Sequence, residues 1–92
     1  MKESKIIIKV HGLVQGVFFR YTTRKIARKL GLTGFVKNMP DSTVYIEAEG
    51  PYDKLLELLE FSKKGPKHAY VERVEHKFTD PINEFNGFDY AF

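Results

Sequence analysis

The residues best able to do chemistry lie in one run, Val10-His11-Gly12-Leu13-Val14-Gln15-Gly16-Val17-Phe18-Phe19-Arg20. An apolar strand leads into a turn with two glycines, and the turn ends on an arginine where helical spacing begins. Glycine takes positive φ at little cost and lets a ligand approach the backbone closely. Amides of Gln15, Gly16, Val17, Phe18, Phe19 and Arg20 can therefore converge as a nest at a helix N-terminus, where the helix dipole favours negative charge. Arg20 adds a planar, permanently charged fork that fits two phosphate oxygens. The unit suits a small anion, and phosphate is the first candidate. A plain strand-to-helix turn with a solvated arginine would use the same residues, so on these residues alone both readings stand.

Other constellations carry less. There is no G-x-x-x-x-G-K-[ST], so the glycine turn is not a nucleotide P-loop. There is no G-x-S-x-G nucleophile elbow. His11, His68 and His76 lack metal-ligand spacing and read as strand-end or surface histidines. Asp41, Glu47 and Glu49 read as surface charge around a hairpin. The chain has no cysteine, which excludes disulfides, a thiolate nucleophile and Cys-ligated metals.

The elements that must position the anion unit follow from periodicity. Lys5 to His11 alternates, with Ile6, Ile8 and Val10 on one face, and predicts a strand. From Arg20 to Leu30 the spacing turns helical, with Phe19, Thr23, Ile26, Ala27 and Leu30 on the inner stripe. Arg28 and Lys29 suit its C-terminus, and Gly31 suits the C′ position. Thr33–Asn38 and Thr43–Glu49 read as two strands of an antiparallel hairpin closed by Met39-Pro40-Asp41-Ser42. Gly50 ends the second strand, and Pro51 fits the first position of a helix. Tyr52, Leu55, Leu56 and Leu59 give that helix a buried stripe, with Glu60 and Lys64 at pairing distance on its wet side. Gly65-Pro66 ends it. Ala69–Thr79 is a further strand, and the three-residue spacing of Val71 and Val74 predicts a bulge. Phe88, Tyr90 and Phe92 alternate in a short final strand. The order is β-α-β-β-α-β plus a terminal strand. It predicts an α+β ferredoxin-like sandwich, with two helices on one face of a mainly antiparallel sheet.

Bulk properties bound the rest. Ninety-two residues suit one domain spanning 1–92. Composition is 42% hydrophobic and 29% charged, as in globular proteins, and eight Phe with five Tyr supply aromatic packing. A net charge of +3 suits a small anionic ligand and falls short of a nucleic-acid signature. The apolar run Ile6-Ile7-Ile8 is too short for a signal peptide or a membrane span, so a cytoplasmic location is expected.

Two stretches carry a family resemblance. Val10-x-Gly12-x-Val14-Gln15-Gly16-Val17-x-Phe19-Arg20 resembles the acylphosphatase signature position for position. Gly34-Phe35-Val36-Lys37-Asn38-x-x-Asp41-x-x-Val44, continuing into Glu47-Ala48-Glu49-Gly50, resembles that family's second motif. The likeness extends over nearly the whole chain. One position departs, because Ser42 stands where the family has glycine after the aspartate. Ser42 must take a positive φ, at a cost on the order of 1 kcal/mol, or the turn must take another form.

The resemblance implies hydrolysis of the carboxyl–phosphate bond of an acyl phosphate, with Arg20 and Asn38 as the catalytic pair. Arg20 and the loop amides would hold the phosphoryl group, and Asn38 would orient the attacking water. Such a reaction needs no cofactor and no metal if Arg20 supplies the cation. Inorganic phosphate is the expected product and inhibitor, and a monomer is expected. The alternative within this reading is a non-catalytic module that binds acyl phosphate or phosphate. An RNA-binding module shares the element order, but it needs exposed stacking aromatics on its central strands. Here Thr43–Glu49 offers one outward tyrosine between two carboxylates, and neither nucleic acid nor membrane is expected as a partner.

Overall fold

A computed structural model of the chain describes residues 3–91. Its strands and helices run β1 (Glu3–Leu13), α1 (Phe19–Lys29), β2 (Thr33–Asn38), β3 (Val44–Pro51), α2 (Tyr52–Lys64), β4 (Tyr70–Thr79) and β5 (Phe88–Tyr90). The sheet order is β4-β1-β3-β2-β5, with every pair antiparallel except β2–β5. This is the ferredoxin-like α+β sandwich expected from periodicity. Phe92, read as part of the last strand, lies outside the described residues.

Alternation explains the core. Ile6, Ile8 and Val10 of β1, Val36 of β2, and Val44, Ile46 and Ala48 of β3 are fully buried on the helix-covered face. Phe19, Thr23 and Ala27 of α1 and Leu55, Leu58 and Leu59 of α2 close over them. Phe19 meets Phe61 across the two helices at 5.5 Å between ring centroids. Gly31 takes φ 74° and ends α1, the left-handed C′ geometry that glycine favours.

The second helix departs from its predicted phase. Tyr52 and Leu56 are exposed, and the buried stripe is Leu55, Leu58, Leu59 and Ser62. Leucine pairs at 55/56 and 58/59 make the apolar face ambiguous. Ser62 hides because its hydroxyl donates to Leu58 O at 2.9 Å, which satisfies a polar group inside the helix. Glu60 pairs with Lys63, not with Lys64. Strand β3 also runs further than expected. Gly50 and Pro51 still face Ser4 and Glu3 of β1, so Pro51 is the N-cap of α2 and not its first helical residue. A proline at the last rung of a ladder loses no pairing that the helix needs.

On β4 the register shifts opposite His11 and Gly12, leaving Glu72 as the extra residue of a bulge. Gly12 belongs to this contact. A side chain there would strike Tyr70 O and lie 2.8 Å from Glu72 N, so Gly12 serves close strand packing and not ligand approach.

The segment between β4 and β5 crosses from one sheet edge to the other. Glu49 ties it down by accepting the amides of Ile82 and Asn83, both at 2.9 Å. Glu49 is only 4% exposed, so this carboxylate is a buried strut and not surface charge. Phe85 from the same segment packs edge-on against Phe35 of β2.

Candidate active site

The loop Val14–Phe18 leaves β1 and enters α1 through two left-handed residues. Gly16 has φ 75° with open space around its Cα, and Phe18, the N-cap, has φ 64°. Phenylalanine rarely adopts this conformation. Thr22 stabilises it by donating both its amide (3.0 Å) and its hydroxyl (2.9 Å) to Phe18 O. Among the described residues, no backbone carbonyl accepts from the amides of Gln15 to Arg20, and no side chain caps α1. The first turn of α1 also carries no acidic residue, whereas α2 has Asp53 there. The start of α1 therefore keeps free donors and the positive end of its dipole.

A cleft of about 490 Å³ opens at this corner, lined by Val14, Gly16, Phe18, Phe19, Arg20, Tyr21, Asn38 and Tyr90. Five of the seven residues singled out from the sequence meet here: Gly16, Phe18, Phe19, Arg20 and Asn38. Val17 instead packs against the core. The Gln15 side chain turns to the hairpin, donating from Nε2 to Met39 O and Thr43 O, each at 2.9 Å. Those two carbonyls flank the turn that follows Asn38, so Gln15 clamps the loop onto the strand end bearing Asn38. Sequence alone gave Gln15 only its amide; a side chain reaching another element leaves no local periodic signal.

The hairpin end is itself well fixed. Met39 N donates to Thr43 O at 2.9 Å and Ser42 N to Met39 O at 3.1 Å. Ser42 accepts the strain in this three-residue turn, with φ 74°. The Asp41 carboxylate takes the amide of Thr43 at 3.1 Å and pairs with Lys9 at 3.0 Å. Hydrogen bonding from the Thr43 hydroxyl, then from Lys9, holds the Asp41 carboxyl well below the usual carboxylate range.

Two features separate the cleft's polar groups from their neighbours. Arg24 and Arg28 both pair with Asp89, at 3.0 and 3.5 Å. Among the described residues no carboxylate pairs with Arg20, whose guanidinium lies 5.9 Å from the Tyr90 ring centre. The second feature is Asn38 Oδ1, which is buried without a hydrogen-bond partner. Thr23 Oγ1 shares that condition among the described residues but does not line the cleft. An unmet buried acceptor costs about 1–3 kcal/mol, so its presence beside an open cleft marks a place where a bound molecule would complete the bonding. His11 plays no part in the cleft. It contacts Glu75 at 2.6 Å on the β1–β4 edge, and among the described residues no three His, Asp or Glu gather as a metal site.

Fold and cleft together define a ferredoxin-like α+β protein with an anion-receptive corner. The family model for acylphosphatase matches residues 6–90. An acylphosphatase of Salinibacter ruber is 44% identical over 86 residues, covering 94% of this chain and 90% of that one. An acylphosphatase of Archaeoglobus fulgidus is 47% identical over 85 residues, covering 92% and 94%. The crystal structure of acylphosphatase from Bacillus subtilis superposes with a TM-score of 0.92 at 34% identity, covering 97% of this chain and 99% of that chain. The chain belongs to the acylphosphatase family, and it is a hydrolase acting on acid anhydrides. None of its helices among the described residues is long and apolar enough to cross a membrane.

Proposed function

We propose that this protein hydrolyses the carboxyl–phosphate bond of acyl phosphates without a metal ion, releasing a carboxylate and inorganic phosphate. The free amides of Gln15 to Arg20 and the Arg20 guanidinium hold the phosphoryl oxygens, where negative charge spreads as the bond breaks. Asn38 orients the attacking water by accepting one of its hydrogens at Oδ1. The water oxygen bonds to phosphorus, the phosphorus–acyl oxygen bond breaks, and the carboxylate leaves with the electron pair. The water's proton passes to an oxygen of the substrate itself.

The chemistry of the leaving group supports so short a list of residues. A carboxylic acid has a pKa of about 4, so its anion departs unprotonated and no general acid is needed. An alkyl phosphate would demand one. The observation that carries this reading is the meeting, in one cleft, of Arg20, which has no carboxylate partner among the described residues, and the unmet Asn38 Oδ1. We place the enzyme in the cytoplasm as a single-domain monomer, with inorganic phosphate as its product inhibitor.

The test is direct. Incubated with benzoyl phosphate in excess EDTA, the protein should consume the acyl phosphate and release one phosphate per benzoate. Phosphate binding with no turnover would replace this reading with that of a non-catalytic phosphate-binding module.

A further inference from the structure

We propose that Phe18, Tyr21 and Tyr90 form an aromatic mouth that takes the acyl part of the substrate, so that aromatic acyl phosphates are preferred over acetyl phosphate. This rests on the acyl phosphate reading above and names the substrate class within it.

The cleft is too large for the phosphoryl group alone. Its volume of about 490 Å³ falls within the roughly 300–1,000 Å³ of sites that enclose small organic ligands. Gly16, Arg20 and Asn38 account for one polar corner. The remaining lining, Val14, Phe18, Phe19, Tyr21 and Tyr90, is mostly aromatic, with Phe19 buried in the core and the other three rings at least partly exposed. Phe18 is 74% exposed and Tyr21 52% exposed, although both border a concave surface. Single exposed aromatics are ordinary, but aromatics that line one cleft beside reactive groups are not scattered.

Phe18 strengthens the case. A glycine or asparagine would hold its left-handed conformation at less cost. Here a bulky ring is kept where the backbone is strained and water reaches it, and the Thr22 bonds to its carbonyl anchor the backbone from which that ring projects. Strain retained beside a reactive centre is commonly tied to its work. Tyr90 links mouth to corner. Its ring lies 4.3 Å from the Arg24 guanidinium and 5.9 Å from that of Arg20, a stacked arrangement that holds it in place. A benzoyl group whose phosphate sits at Arg20 would share one cleft with the rings of Phe18, Tyr21 and Tyr90.

The experiment compares kcat/KM for benzoyl phosphate and acetyl phosphate in the wild type, Tyr21→Ala and Phe18→Asn. Asparagine tolerates the left-handed backbone, so the second variant removes the ring and keeps the loop. The wild type should favour benzoyl phosphate about tenfold or more, and each variant should lower that ratio about 5-fold, mainly through KM, as expected when aromatic contacts and uniform binding are lost. Inhibition by inorganic phosphate, which occupies only the corner, should stay within about twofold in Tyr21→Ala, since the loop amides and Arg20 that bind it are untouched. An unchanged ratio in both variants would overturn the proposal. So would an equal loss for both substrates accompanied by weaker phosphate inhibition. A wild type that hydrolyses neither substrate overturns the acyl phosphate reading itself, a result distinct from hydrolysis of both without preference.

Discussion

The hairpin of β2 and β3 carries a polar side chain at each limit of its ladder, and the two have opposite fates. Glu49, opposite Thr33, gives both carboxylate oxygens to the amides of Ile82 and Asn83. Asn38, opposite Val44, keeps its side-chain oxygen buried and without a partner among the described residues. The first group is satisfied by the protein and holds the crossover to β5 in place. The second is left for something the protein does not contain. Within one hairpin, hydrogen-bond satisfaction thus separates the residue that braces the fold from the residue to which the proposed function gives the chemistry.

Substitution at the cleft end should cost activity and spare the fold. Arg20→Gln should lower kcat/KM on the order of 10³-fold, the lower range for an arginine that balances phosphoryl charge. Inorganic phosphate should then no longer raise the melting temperature. A variant that kept both turnover and phosphate protection would break the comparison at its functional end. Asn38→Ala should reduce turnover about 10²-fold, as does loss of one charge-stabilising amide elsewhere. Phosphate inhibition should change little, and Tm should hold or rise because an unmet buried acceptor is gone. A fall in Tm instead would mean that Asn38 is structural after all.

At the other end the signs reverse. Glu49→Ala leaves two amides without their charged acceptor and should cost about 2–3 kcal/mol, a drop in Tm on the order of 10 °C, with kcat/KM for acyl phosphate nearly unchanged. Calorimetry and the benzoyl phosphate assay on the same sample would separate these effects.

Acid should weaken the fold through groups outside the cleft. Burial would raise the Glu47 carboxyl, but hydrogen bonds from Lys5 and Tyr45 outweigh it and hold Glu47 below its usual range. Asp89 is lowered by the Tyr90 amide and by Arg24. A carboxyl lowered in the folded state contributes stability above its unfolded pKa, near 4, and loses it as pH falls through the folded value. Tm should thus be level from about pH 5 to 8 and fall below about pH 4, and Glu47→Gln should shrink that fall. The smallest expected effect is a gain. Ser42→Gly relieves the left-handed strain at the hairpin turn and should add about 0.5–1 kcal/mol, read as a rise in Tm of a few degrees. An unchanged Tm would show that the clamp of Asp41 on Thr43 already absorbs the strain.

Much of this was legible in the sequence where local chemistry decides. The alternation of Ile6, Ile8 and Val10, the limits Thr33–Asn38, the bulge beside Val71 and the left-handed Gly31 all follow from period and glycine position. Arg20 and Asn38 stood out by motif, and the structure brings them to one cleft. What failed to show depends on distant segments. Glu49 looks like surface charge until the crossover lies against it. Gly12 looks like a ligand contact until Tyr70 approaches. The Gln15 clamp needs the loop and the hairpin to be neighbours, which no window of sequence can report.

The sheet's two outer margins are protected in different ways. The β4 margin is long but guarded, with Glu72, Arg73, Glu75, His76 and Lys77 exposed along it and a bulge that interrupts its ladder. Such a charged, irregular edge discourages another chain from adding a strand. The β2 margin is covered by three residues, Phe88–Tyr90, running parallel to it near the end of the chain. Pairing with this short strap occupies the hydrogen-bonding groups of Thr33–Asn38 that would otherwise form an open edge beside the cleft. Three residues at the margin thus do for β2 what charge and a bulge do for β4: each keeps an edge from serving as a template for another chain.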